Sequence, residues 1–325
     1  MKPFTILTLA LIISASLTRG DIVGSCGATS CPMVTYRPIS AQHIEFGLGY
    51  ETINQTQVYT GNSPNTVGAI SQHHDELETI NTQFNISAKY GFSAASQLRL
   101  EVPLIYRTHS HIHNHHGEKL NESWTLNGIG DSSLYWDQVM WEEPEHNATI
   151  ALTGGVKFPT GVTGLSNSDG DSAEVSVQPG SGSTDYSIGM FYQADGLSLQ
   201  NWDRDDTALP IRTGLTYFFR GIGTNGWQVG NSTIATLGTH FKLNTMLSIG
   251  IDSILKVQDK SSPGSTGESV ENTGGTWAFL APHLTMTIFE NHRITTMLQC
   301  PVYQNVNGIQ LTAPLNIRID YDVKI

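Results

Sequence analysis

The C-terminal stretch LNIRIDYDVKI, residues 315–325, alternates apolar and polar side chains without a break. Its apolar members are Leu315, Ile317, Ile319, Tyr321, Val323 and Ile325. A repeat of two is typical of a β-strand with one apolar face. A helix would put Arg318 and Asp322 on one face with Tyr321 beside them, and would leave no continuous apolar stripe. The segment therefore predicts a strand.

Similar alternation recurs along the chain. The clearest segments are 44–50, 98–106, 148–158 and 211–219. Less regular ones are 77–92, 131–143, 184–195, 227–241, 246–258, 276–289 and 293–303. Together they predict about twelve strands of roughly ten residues, which is the length that a tilted strand needs to cross a bilayer.

Short and long connections alternate between the predicted strands. Short links are expected at 93–96, 144–146, 242–244 and 291–292, and long polar loops at 54–76, 108–128, 159–183 and 259–275. This is the pattern of an all-β, antiparallel up-and-down barrel in an outer membrane, predicted here for residues 41–325. The link 194–209 is too long for the short-turn side. A secreted β-sandwich would also alternate and is the alternative fold.

Composition excludes several classes of protein. The chain has 325 residues, of which 38% are hydrophobic and only 14% charged, against about 25% charged in ordinary soluble domains. A low charge fraction argues against disorder. After residue 20 no run reaches the ~18 apolar residues that a spanning helix needs. The net charge of −12 makes nucleic acid an unfavourable partner.

The N-terminus resembles an export signal. Residues 1–20, MKPFTILTLALIISASLTRG, combine Lys2, an apolar run and small residues before a cleavage site at Asp21. Residues 21–40 are predicted to form an N-terminal periplasmic or plug segment. An oxidising compartment would allow a disulfide loop between Cys26 and Cys31, with a soft-metal clip as the alternative. Export and a barrel together predict the outer membrane of a Gram-negative-type bacterium.

Several segments together carry a resemblance to a known family. They are YGF at 90–92, LRLEVPLIY at 98–106, GIGD at 128–131, GGVKFPTG at 154–161, GSGSTDYSIG at 180–189 and PVYQNVNGIQL at 301–311. In order and spacing they resemble the bacterial outer-membrane family named for the MetA pathway of phenol degradation. The resemblance implies a transporter-like β-barrel without established catalytic residues. It also implies a lipid bilayer, small-molecule solutes and the barrel insertion machinery as partners.

Two functions remain open from the residues. The first is passive uptake or export of small hydrophobic solutes through a lumen lined by charged residues, namely Glu45, Arg99, Glu101, Arg318, Asp320 and Asp322. The second is a surface metal-binding barrel with a His-rich loop at 109–116 that captures Cu or Zn. Its candidate ligands are His109, His111, His113, His115 and His116, with His73, His74 and Asp75 nearby. An incidental polar loop is the alternative interpretation of these histidines.

No enzymatic function or bound cofactor is expected. The histidines superficially match the zinc motif H-x-H-x-D-H, but His115 stands where that motif needs an acid. A loop tip would also not hold the fixed ligands of a catalytic zinc. Five tryptophans near predicted strand ends are candidates for interfacial girdles, with core packing as the alternative: Trp124, Trp136, Trp141, Trp227 and Trp277.

Overall fold

The structure, a computed structural model, describes residues 38–69, 74–115, 118–197, 209–263 and 270–325. The predicted export signal at 1–20 and the Cys26–Cys31 loop lie outside these ranges, so both stay predictions. The third cysteine, Cys300, is half-buried.

Twelve long strands form the body of the molecule. In chain order they are β1 (Ile44–Gln55), β2 (His74–Gly91), β3 (Ser96–His115), β4 (Ser133–Glu143), β5 (Ala148–Lys157), β6 (Asp185–Leu197), β7 (Leu209–Phe219), β8 (Ser232–Lys242), β9 (Leu247–Gln258), β10 (Gly275–Ile288), β11 (His292–Thr312) and β12 (Asn316–Lys324). A further strand of 12 residues, Glu118–Ile129, lies outside this set. Short strands are Gln57–Gly61, Ser63–Asn65, Trp227–Gln228 and Ser262–Pro263, and 3₁₀ turns are Val175–Val177 and Thr224–Gly226.

The sheet closes on itself. Each long strand pairs antiparallel with the next, and β12 returns to pair with β1, for example Tyr321 opposite Leu48. Closure gives each of the twelve long strands a partner on both sides, which is the condition that a hydrocarbon environment imposes. The predicted antiparallel barrel of twelve strands is therefore confirmed. The described ranges contain no helix that is long and apolar enough to cross a membrane.

The apolar side of the strands points outward. In the deciding segment, Ile319 is 41% exposed while Arg318 and Asp320 are at most 3% exposed. Outward apolar side chains continue around the barrel, among them Phe46, Leu48, Ile86, Leu100, Ile188, Met190, Leu215, Leu237, Ile251, Leu255 and Leu284. We call this ring the apolar belt. Water-exposed apolar surface of this extent would be strongly unfavourable, so the belt lies in lipid.

The tryptophans divide between the outer and inner faces. Trp136 and Trp141 are exposed on the outer side of β4, as a girdle requires. The girdle prediction is wrong for Trp124 and Trp277, which are 5% and 0% exposed. Both side chains point into the barrel, and the nearness of a residue to a strand end does not show which face of the strand it occupies.

The predicted loop 108–128 is mostly strand. β3 continues to His115, and Glu118–Ile129, here called the upper strand, pairs with its upper half. β3 pairs with the upper strand from Leu104 to His115 and with β4 from Ser96 to Glu101. The upper strand and β4 are therefore two halves of one interrupted strand. Pro103 lies at the interruption and has no N–H for the ladder. One extra residue is accommodated there, which turns Asp131 toward the interior.

Candidate functional site

The barrel interior at β1–β4 and at β11–β12 is charged. Its ion pairs include Lys89 with Glu45 at 3.2 Å, Arg99 with Glu101 at 3.1 Å and Arg293 with Asp322 at 2.8 Å. All six predicted lumen residues face this interior and are at most 7% exposed: Glu45, Arg99, Glu101, Arg318, Asp320 and Asp322. Pairing offsets the cost of holding charges away from bulk water.

The interior at β5–β11 also holds ion pairs, such as Arg212 with Asp252 at 2.6 Å, but beside them lies an apolar cluster that the sequence did not predict. A buried cluster on β5–β11 consists of Ala151, Phe191, Phe218, Ile234, Ile254, Trp277, Phe279, Ala281, Met297 and Val306. We call it the apolar inner wall. Lumens of outer-membrane barrels are ordinarily polar. The sequence does carry a signal for this cluster, because large apolar residues occupy inward-facing positions on consecutive strands. Phe279, for example, faces inward beside the outward-facing Leu280.

The lumen is crowded at the charged side. Gln55, Gln83, Gln299 and Arg107 are each at most 1% exposed. Side chains therefore fill this part of the lumen, because a wide aqueous pore would leave them exposed to water.

A long connection, residues 158–184, folds into the barrel and is called the inward loop. Arg107 on the inner face of β3 donates hydrogen bonds to the carbonyls of Val177 (2.5 Å) and Gln178 (3.1 Å). Trp124 Nε1 donates to the carbonyl of Asp171 at 2.9 Å. Val177 is fully buried against Trp124 and Leu126. These contacts hold the loop across the lumen.

Asp131 fixes both ends of the inward loop. Its carboxylate accepts hydrogen bonds from the backbone N–H groups of Gly161 and Ser181, both at 2.9 Å, and pairs with Lys157 at 3.0 Å. Gly161 must lack a side chain here, because a Cβ would lie 2.5 Å from Cα of Gly180. The interruption of the strand opposite Pro103 therefore has a structural consequence, because it turns the carboxylate of Asp131 toward the inward loop that it anchors.

A cavity of about 420 Å³ lies between the inward loop and the other long loops. We call it the vestibule. Its lining is Val58, Val67, Gly68, Asp75, Glu76, Glu174, Val175, Ser176, Trp227, Val270, Asn272, Ile309, Gln310 and Leu311. The volume is that of pockets for small organic molecules. Its walls are largely apolar and carry three carboxyl groups, those of Asp75, Glu76 and Glu174.

Glu76 lies on β2 beyond the apolar belt, which on that strand runs from Phe84 to Tyr90. Burial and the negative charge of Glu174 raise the pKa of Glu76 to about 8. This carboxyl group is therefore held in an environment that disfavours its charge.

His109, His111 and His113 lie on a strand and not on a surface loop, which corrects the sequence prediction for these three residues. His109 and His111 lie on β3, face the interior and are each 2% exposed. His113 is partly buried on the same face, with Nδ1 3.3 Å from Oε1 of Glu122. His115 ends β3, while His73, His116 and the side chains of His74 and His115 are outside the described part. Because His109 and His111 are enclosed, a surface metal-capturing function is unsupported.

A closed barrel with an outward apolar belt, a paired-charge interior and an inward loop defines an outer-membrane β-barrel. The barrel is therefore placed in the outer membrane, with the short turns on the periplasmic side and the long loops on the extracellular side.

Comparison with known proteins supports this class. An outer membrane channel from Pseudomonas putida F1 has a TM-score of 0.63 and 10% identity, over 91% of this chain and all of that one. This match shows the barrel fold, which is the fold that the family resemblance implies. Similarity is weaker to the P. putida toluene transporter TodX (TM-score 0.44, 9% identity, 87% and 90% covered) and to the NanC porin (0.43, 11%, 87% and 100%). No family model and no curated protein matches the sequence.

Proposed function

We propose that the protein is a passive outer-membrane channel for small hydrophobic solutes, which enter from outside through the vestibule. The observation that carries the proposal is the apolar inner wall, because a lumen for ions or sugars would be polar throughout. Contact with apolar side chains inside the barrel stabilises an apolar solute, because the apolar surface of the solute is removed from water. Net flux would follow the concentration gradient, and the proposal assigns no catalytic step.

The vestibule and the apolar inner wall adjoin. Val58 lines the vestibule, and its neighbour Tyr59 packs against the inner wall. Val306 of that wall pairs with Gly61 on the same short strand. A solute in the vestibule therefore meets an apolar surface that continues toward the lumen. Val175 of the inward loop lines the vestibule, so a movement of this loop would control the passage of solute from the vestibule to the lumen.

Solute class is predicted by the charges. Asp75 and Glu174 line the vestibule and oppose an anion at close range, whereas Glu76, with its pKa raised to about 8, adds a negative charge only in alkaline solution. Among toluene, benzylamine and benzoate, which are similar in size, we expect benzoate to bind least. Titration of the folded protein in detergent, followed by calorimetry, measures this order. Preferential binding of benzoate would contradict the assigned solute class.

Uptake tests the channel function itself. Porin-deficient cells that produce the wild-type protein should accumulate labelled toluene faster than cells with an empty vector. Phe279→Gln places an amide on the apolar inner wall and should slow this uptake, since lumen substitutions in barrels alter selectivity. Phe241→Gln removes a ring from the outer face and is the matched control. Heat-modifiable gel migration verifies folding; equal uptake by the wild type and Phe279→Gln would refute the proposal.

Two further predictions accompany this function. We infer that residues 1–20 direct export and that the outer-membrane insertion machinery recognises the alternating C-terminal segment 315–325. Replacement of that segment's apolar residues should leave the chain uninserted in membrane fractions.

A further inference from the structure

Three potential metal ligands meet on the inner face of β2 and β3, toward the extracellular end of these strands. Glu76 of β2 and His109 and His111 of β3 each offer a ligand atom, and these atoms lie within 4.8 Å of one another. Pairing of β2 with β3 brings them together, because Glu76 lies opposite His111 in the register. None belongs to the loop tip.

Each histidine is oriented by a neighbour on one ring nitrogen. Nδ1 of His109 lies 2.9 Å from Oγ1 of Thr79, and Nε2 of His111 lies 2.9 Å from Oε2 of Glu122. Metal-binding histidines typically use one nitrogen for the metal and the other for such a partner. The remaining nitrogens, Nε2 of His109 and Nδ1 of His111, are the natural ligand atoms.

The distance between the ligand atoms of Glu76 and His109 fits a tetrahedral ion. Oε2 of Glu76 and Nε2 of His109 are 3.4 Å apart. Ligands at about 2.0–2.1 Å from a tetrahedral zinc are about 3.3 Å from each other. The rings are also held in place, because Trp124 stacks on His109 and packs against His111, with ring centroids 5.7 Å and 4.9 Å away.

Glu76 supplies the electrostatic reason for a cation. Its side chain is only 15% exposed, and among the described residues no donor hydrogen-bonds to Oε2. Glu174 adds a second negative charge nearby. A buried carboxylate is costly without a compensating charge or donor. A divalent ion at this position would supply that charge.

We propose that Glu76, His109 and His111 bind a divalent transition metal, with Zn²⁺ as the ion of first choice. Two imidazoles and a carboxylate suit Zn²⁺, and Cu²⁺ and Ni²⁺ also accept such nitrogen and oxygen donors. The site lies inside the barrel, joins two strands and does not use His115 or His116. It is independent of the channel proposal. Because Glu76 also lines the vestibule, a bound ion reduces the negative charge of its wall.

Calorimetry with ZnCl₂ on the full mature barrel in detergent, carrying no His-tag, tests the site. One ion should bind, and Glu76→Gln and His109→Asn should each weaken the affinity at least tenfold. Half-buried Glu143 and exposed Glu145 and His146 form a second group of potential ligands, so His146→Asn is the matched control and should keep this affinity. The double variant His115→Ala/His116→Ala should keep it as well.

Cobalt gives a second readout that does not depend on affinity alone. Co²⁺ bound by the three ligands should show visible absorption bands, which Glu76→Gln alters and His146→Asn leaves unchanged. Heat-modifiable migration confirms that each variant is folded. Unchanged Zn²⁺ affinity in both Glu76→Gln and His109→Asn would overturn the proposal, as would loss of binding only in the His115/His116 variant.

Discussion

Leu48 lies in the middle of the apolar belt and gives the sharpest test of which face meets lipid. Its side chain is 51% exposed, and its cross-strand neighbours are Ile86 and Tyr321. Leu48→Arg places a charge near the bilayer midplane, which costs about 2–4 kcal/mol in barrels. Ile44→Arg, at the end of the same face, should cost only about 0–1 kcal/mol. At about 1.4 kcal/mol per factor of ten, the folding equilibrium constant of the midplane variant falls by roughly 30- to 700-fold.

Guanidinium unfolding in phospholipid vesicles, followed by tryptophan fluorescence, measures this difference. Both variants share strand, face and substituent, so depth in the bilayer is the variable that separates them. The reasoning fails if Leu48→Arg is no less stable than Ile44→Arg. It also fails if Leu48→Arg is more stable than the wild type, as in a protein whose outer face meets water.

Three other predictions concern the loops and turns. Arg107→Ala removes two charge-assisted hydrogen bonds to the inward loop, each about 1.5–3 kcal/mol, so single-channel conductance in planar bilayers should rise; unchanged conductance would show that the loop is held otherwise. Gly161→Ala should also raise conductance, because its Cβ would collide with Gly180; wild-type currents would contradict this close packing. The carboxylate of Glu143 accepts a hydrogen bond from the His146 ring and raises the pKa of His146 in a periplasmic turn, so Glu143→Gln should lower that pKa in an NMR titration. The stability from this pair is present below the unfolded His pKa of about 6.5 and is lost as pH rises through the raised value; an identical titration curve would refute the pairing.

The barrel could be predicted from the sequence because alternation is a local property. In 315–325 every second residue is apolar, and the parity of each residue directly gives the face that it occupies. The six charged lumen residues followed from the same parity. Strand number followed from segment length and from the alternating short and long connections.

The interior arrangement could not be predicted, because it depends on contacts between distant residues. Arg107 meets Val177 across 70 residues of chain, and Asp131 turns inward only because the strand is interrupted opposite Pro103. The polarity of the histidine segment predicts a loop, yet pairing with the upper strand extends β3 to His115. Glu76 entered the metal cluster through that pairing, whereas the sequence pointed to His115 and His116.

The central claim is that lipid surrounds the barrel and the opposite face of each strand lines the interior. Spin labels placed one at a time along β7 at residues 212–219, in a chain whose three cysteines are replaced by alanine, test it in vesicles. Oxygen accessibility should alternate with a period of two and peak at Thr213, Leu215, Tyr217 and Phe219. Peaks at Arg212, Gly214 and Thr216 instead, or equal access of a water-soluble nickel complex to Leu215, would contradict the account.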